Sequence, residues 1–331
     1  IRYFELRFIT LSELSSLDAH TVIDYSADGI VYAVYLRETE DKKIALDKIS
    51  EIKNSRVIFI LPLKNLDLDD LLIEYAAIQN LINFYSGKEV ALVDELVYIE
   101  EDRYKLLTGF IDSTYLQPES GSSEFYNEGN IISISRKSQF SKLLSDIMDT
   151  TYYHTPVIVN DLINKNNISA TIRTARQKII AGLLSGNYKK NLGIIGFGPE
   201  INILNAVLVT PKIFINEDDA KLSIVGIDTK VKDVLNTIKD FLISTTDGKK
   251  SLGVLYKNLM GAEYGYGLKK GLVAIYLAVA IMIWFKDHIV ITKKDREIPL
   301  NAALFNEIDI APDSYHILLE SWDTSKEAYI S

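Results

Sequence analysis

Fourteen consecutive apolar residues, "LVAIYLAVAIMIWF" (272–285), leave the surrounding chain few options. A bilayer span takes about 20 such residues, and this run is bounded by Lys269, Lys270 and Lys286. It predicts a helix that is apolar around its whole circumference, which is stable only when other elements enclose it. At ~1.5–3 kcal/mol per large side chain buried, such a helix anchors its domain. The material to enclose it is present, since 47% of the 331 residues are apolar.

The remaining bulk properties exclude whole classes of function. Cysteine is absent, which removes disulfides, thiolate metal sites and cysteine nucleophiles together. The net charge is −9 with pI ≈ 5.1, so the surface as a whole does not suit nucleic acid, although a local basic patch does. The first residues, "IRYFELRF", carry charge among aromatics and lack a secretory leader pattern. A cytoplasmic location with no membrane partner is therefore expected. Because the chain starts at Ile1 and stops in "EAYIS", it is expected to be a segment of something longer.

Periodicity predicts an α/β part followed by a mainly helical region. "GIVYAVYL" (29–36) and "RVIFILPL" (56–63) lack polar alternation, as strands covered on both faces do. "DKKIALDKISEI" between them has helical spacing, giving a strand–helix–strand parallel pair. Two helices are expected in 67–115, the second containing "VDEL". "QPESGSSEFYNEGN" (117–130) reads as a loop and "NIISIS" as a short strand. Further helices are expected in "KSQFSKLLSDIMDTTY", "TPVIVNDLIN", "ISATIRTARQKIIAGLLSG", from Pro199, and in "TKVKDVLNTIKDFLI". "SLGVLYKNLM", the apolar helix and a hairpin in "HIVITKKDREIPL" then predict a C-terminal winged-helix-like module. The implied divisions are 1–66, 67–150, 151–245 and 246–331.

Several motifs resemble known chemistry and lack its requirements. "EVALVDEL" (89–96) reads like the second acidic motif of a P-loop ATPase, but G-x-x-x-x-G-K-[ST] occurs nowhere. "STTDGKKS" (244–251) has one glycine and lies downstream of it. "GFGPEI" (196–201) imitates a dinucleotide turn, but Ile201 stands where the third glycine belongs. Glu200 also sets a carboxylate in the helix's first turn, where a pyrophosphate would sit. His20, His154, His288 and His316 show no metal-ligand spacing. Two basic groups remain. Arg173 and Arg176, at i and i+3, are expected to share a helix face and could grip an anion. Lys293, Lys294 and Arg296 at the hairpin tip could touch a nucleic-acid backbone.

The order of four blocks carries a resemblance: "TPVIVNDLINKNNISATIRTARQKIIAGLL", "LGIIGFGPEINIL", "YGYGLKKGLVAIYLAV" and "ILLESWDTSKEAYI". Together they resemble the large P-loop ATPases of bacterial phage-defence islands, of the BREX and phage-growth-limitation type. The matching residues are Pro156, Asn160–Asn164, Ala175, Arg176, Gly196, Gly198, Pro199, Glu200, Tyr266–Lys269, Gly271 and Leu272. The resemblance implies an antiviral ATP-dependent protein whose phosphate loop lies before Ile1. ATP and magnesium would belong to that parent, and this chain alone would bind no cofactor or metal. Its partners would be the rest of the parent or other defence subunits, with DNA as the alternative. Arg173 and Arg176 would be nucleotide-sensing residues, and no residue here would be catalytic. The competing expectations are a non-enzymatic winged-helix nucleic-acid regulator and a dinucleotide-dependent enzyme built on "GFGPEI".

Overall fold

The computed structural model describes residues 2–18, 27–38, 41–64 and 68–320. These form two compact units, one ending at Asp149 and the other starting at Thr150.

The first unit is built on a mixed five-stranded sheet. Its strands are β1 (Phe4–Thr10), β2 (Gly29–Tyr35), β3 (Val57–Pro62), β4 (Ser123–Asn127) and β5 (Asn130–Ile132), in that spatial order. β1, β2 and β3 run parallel; β4 and β5 are antiparallel additions at the β3 edge. Between the strands lie α1 (Leu11–Ser16) and α2 (Asp41–Glu51). Leu14, Ala45, Ile49 and Ile52 pack on Tyr32, Val34, Phe59 and Leu61, which makes one face of the sheet a sealed core. A reciprocal capping box starts α1: Thr10 accepts from the Glu13 N–H while Glu13 accepts from the Thr10 N–H.

α3 (Asp69–Tyr85) and α4 (Val90–Ile111) form an antiparallel helical hairpin. Its register is held by Glu74–Arg103 at 2.9 Å and by the Tyr75 hydroxyl donating to Glu100 at 3.2 Å. α5 (Lys137–Thr151) ends the unit.

The second unit is mainly helical. It contains α6 (Ala170–Leu184), α7 (Pro199–Leu204), α8 (Thr229–Ile243), α9 (Leu252–Met260), α10 (Lys270–Trp284) and α11 (Leu304–Ile310). Its small antiparallel sheets are β6 (Phe214–Ile215) with β7 (Lys221–Leu222), and a four-stranded one nearer the C terminus. The latter joins β8 (Lys250–Ser251), β9 (Ile289–Lys293), β10 (Arg296–Ile298) and β11 (Tyr315–Leu319) in the order β10-β9-β11-β8. As the fourteen-residue run requires, α10 is buried all round from Gly271 to Ile281, inside a core supplied by α6, α8, α9 and α11. No helix among the described residues is long and apolar enough to cross a membrane.

Two expectations fail for identifiable reasons. The stretch 155–164 is not a helix. The Asn160 side chain accepts from the N–H groups of Leu162 and Ile163 at 3.1 and 3.2 Å, a local turn that competes with helical bonding. The expected loop 117–130 contains β4 and the start of β5. There Phe125 and Tyr126 are buried against β3, so pairing with an existing sheet edge overrides a loop-like composition. Glu128 and Gly129, both at positive φ, make the tight turn between the two strands.

Candidate functional site

The buried face of α6 consists of Ile172, Ala175, Arg176, Ile179, Ile180 and Leu183, the i, i+3, i+4, i+7 pattern of a core stripe. Arg176 occupies one of these inward positions and is 1% exposed, whereas Arg173 is exposed. The two arginines therefore do not share an environment, contrary to expectation. The Arg176 guanidinium is ion-paired with Asp309 of α11, and its second terminal nitrogen donates to Asn306 Oδ1 at 2.7 Å. Asn306 in turn donates to Gln177 Oε1 at 3.3 Å, and the Tyr256 hydroxyl donates to Asp309 Oδ1 at 2.5 Å. Burial raises the Asp309 carboxyl above its ordinary range, while Arg176 and Tyr256 pull it back down. Burial, then the facing Asp309 charge, pushes the Tyr256 phenol well up, so it stays a neutral donor.

A sensor arginine must reach solvent and a ligand. Arg176 is committed to tying α6 to α11, so removing it should destabilise the unit rather than silence a phosphate signal. Sequence reasoning missed Asp309, Asn306 and Tyr256 as its partners. The available signal was the phase of Arg176 within the apolar stripe.

The other motif residues also serve contacts within the unit. Pro199 takes the first position of α7, and Glu200 folds back beside Gly198, where an added Cβ would lie 2.4 Å from the carboxylate. Lys178 of α6 donates to Glu200 at 2.7 Å. The space a pyrophosphate would need at this turn is thus filled by the protein's own carboxylate. The hydrogen bond from Lys178, then the Glu200 backbone N–H, holds that carboxyl below its usual range. A depressed carboxyl stabilises the fold above its unfolded pKa of about 4.5, and that contribution disappears as pH falls through the folded value. Glu200→Gln should therefore be less stable than wild type at pH 7, and the gap should narrow below pH 4, as read by urea denaturation at both pH values.

The block 160–164 meets the block 266–272. The N–H of Gly271 donates to the Lys165 carbonyl at 3.1 Å, and that of Lys270 to Asn166 Oδ1 at 3.2 Å. Ile163 is fully buried, and its carbonyl oxygen would lie 2.0 Å from a Cβ at position 271. Tyr266 bonds Thr237 of α8 at 2.8 Å and stacks on His154 at 5.2 Å.

At the hairpin tip, Lys293 donates to the Tyr315 hydroxyl at 2.7 Å, and Tyr315 donates to Glu307 of α11 at 2.7 Å. Lys294 and Asp295, at positive φ, form the turn, and Asp295 is ion-paired with Lys249. Of the three expected nucleic-acid contacts, Lys293 is engaged within the fold, while Lys294 and Arg296 are exposed with Asp295 and Glu297 among them.

Asp94 and Glu95 lie exposed within helix α4 rather than at the end of a strand. No group of three or more metal-ligating side chains occurs among the described residues. A cavity of about 240 Å³ in the first unit is lined by Phe4, Leu6, Val31, Ile60 and Phe140, with Tyr115 and Lys137 as its polar members. The Tyr115 hydroxyl is already donated to the Val34 carbonyl at 2.9 Å. His20 and most of the last resembling block lie outside the described residues.

No family model, no curated protein and no solved structure matches this chain.

Proposed function

We propose that this chain is a non-catalytic segment of an ATP-dependent bacterial antiviral defence protein, and that it couples a nucleotide state held elsewhere in that protein to a protein partner. The supporting observation is that three of the four resembling blocks meet in one core, through Lys178–Glu200 and the Ile163–Gly271 contact, with Arg176 tying the first block to α11. These residues hold helices together, and among the described residues no group of three or more metal-ligating side chains occurs. Arg173 remains the exposed guanidinium that could face a phosphate in the assembled protein.

The element order α8–β8–α9–α10–β9–β10 suits a winged-helix-like module, with β11 inserted between β9 and β8. The helix such a module would lay in a groove is α10. Its residues 271–281 are buried, and a reader helix needs exposed polar side chains. Protein rather than DNA is the partner this favours. Adding Mg·ATP to the purified chain should leave its Tm unchanged and release no phosphate. A raised Tm would reveal a bound nucleotide, and either that or turnover would overturn the reading.

Exposed Lys294 and Arg296 favour one alternative, a nucleic-acid regulator acting through the hairpin. On our account duplex DNA does not bind even at low salt. The alternative requires binding that weakens linearly in log[salt], with a shallower slope after charge reversal at Lys293, Lys294 and Arg296.

A further inference from the structure

The α3–α4 hairpin buries little for its length. Ile78 is the buried residue of α3 and Leu107 that of α4; the partly buried Leu71, Tyr75, Ile82, Tyr85, Leu96 and Glu100 fall on the same helix faces as these two, and Tyr75 meets Glu100 across the pair. A second apolar stripe remains in solvent. On α3 it comprises Ile73, Ala77, Leu81 and Phe84, at steps of four, four and three, with Ile73 67% and Phe84 61% exposed. On α4 it comprises Leu92, Ile99 and Leu106, each a heptad after the last and each at least 40% exposed.

With about 100° of rotation per residue, and with the helices antiparallel in the register set by Glu74–Arg103, both stripes fall on the same side of the hairpin. Ile73 then lies level with Leu106, Ala77 with Ile99, and Phe84 with Leu92. Such a face is the i, i+3, i+4, i+7 surface that accepts one more amphipathic helix. Contiguous apolar surface of this kind marks an interaction site rather than a random surface residue.

Charge selects the occupant. Residues 69–111 contain nine carboxylates and three cations, so the hairpin carries −6 of the chain's −9. A second copy would bring another −6 against the same face, and a helix with lysines or arginines flanking its apolar stripe would not meet that repulsion. We propose that this face docks a basic amphipathic helix of a partner protein. The site lies wholly in the first unit and stands independently of the function proposed above.

The test uses the full chain and three-heptad synthetic helices, one Leu–Lys and one Leu–Glu, followed by fluorescence anisotropy. The Leu–Lys peptide should bind with a saturable one-to-one isotherm that weakens in high salt, and the Leu–Glu peptide should not bind. The variant Leu92→Ser/Ile99→Ser/Leu106→Ser leaves the net charge unchanged and alters exposed positions, and it should weaken Leu–Lys binding at least tenfold. Circular dichroism matching wild type would show that its fold is retained. Equal binding by the folded variant would mean that charge alone attracts the peptide, which overturns the proposal. So would a concentration-dependent dimer of wild type that the Ser variant abolishes, since the face would then belong to a second copy. For a variant that does not fold, Ile99→Ser alone carries the same comparison.

Discussion

Arg176→Ala should destabilise the second unit by about 3–5 kcal/mol, because breaking a buried pair leaves one charge uncompensated. The stranded group is the Asp309 carboxylate, which would keep the Tyr256 hydroxyl and lose its cation. Against a total of about 5–15 kcal/mol for an ordinary domain, that loss is a large share. Urea denaturation followed by circular dichroism measures it. Arg173→Ala, three residues away and exposed, should stay within about 0.5 kcal/mol of wild type. Replacing both partners with apolar residues, as in Arg176→Met/Asp309→Leu, should recover most of the stability, because neither charge is then left buried. A phosphate-sensing role for Arg176 makes the opposite prediction, of normal stability and altered nucleotide response.

The second large effect is expected at Gly271. The N-terminus of α10 approaches the 163–165 segment so closely that an alanine Cβ would meet the Ile163 carbonyl oxygen at 2.0 Å. Backbone cannot swing aside as a flexible side chain can. Overpacking of this type costs about 1–3 kcal/mol and occasionally more, which outweighs the ~1 kcal/mol helix-propensity gain of alanine over glycine. Gly271→Ala should therefore lower the Tm, with loss of the bonds from Lys270 and Gly271 to the 165–166 segment. Gly109→Ala provides the contrast. That glycine lies within α4 with open space around it, so the same substitution there should stabilise.

The fold was legible where a single pattern decided it. The apolar run at 272–285, too short for a bilayer, reads as an enclosed helix, and the unbroken runs at 29–36 and 56–63 read as covered strands; the structure has these elements. Legibility ended where tertiary pairing decided. β1 alternates Glu5 and Arg7 with apolar residues as a half-buried strand does, but nothing local in it specifies its parallel pairing with β2. β4 lies inside a Ser- and Gly-rich stretch and owes its existence to the free edge of β3. The stretch at 155–164 has helix-like spacing, yet the Asn160 side chain caps a turn instead. The functional candidates divided in the same way. Glu200 was readable as an obstacle to pyrophosphate, and the structure adds Lys178 as its partner. Arg176 was read by charge as an anion contact. Its place in the apolar stripe carried the deciding information, and its partner Asp309 lies 133 positions further along the chain.

A double-mutant cycle over Arg176 and Asp309 tests most directly the claim that this buried arginine is part of the scaffold and not of a nucleotide sensor. Stability is measured by urea denaturation for wild type, Arg176→Met, Asp309→Leu and the pair. The scaffold account predicts that each single change is strongly destabilising and that the double mutant is far more stable than their sum, with a coupling of about 3 kcal/mol or more. Effects that add within about 0.5 kcal/mol would contradict it.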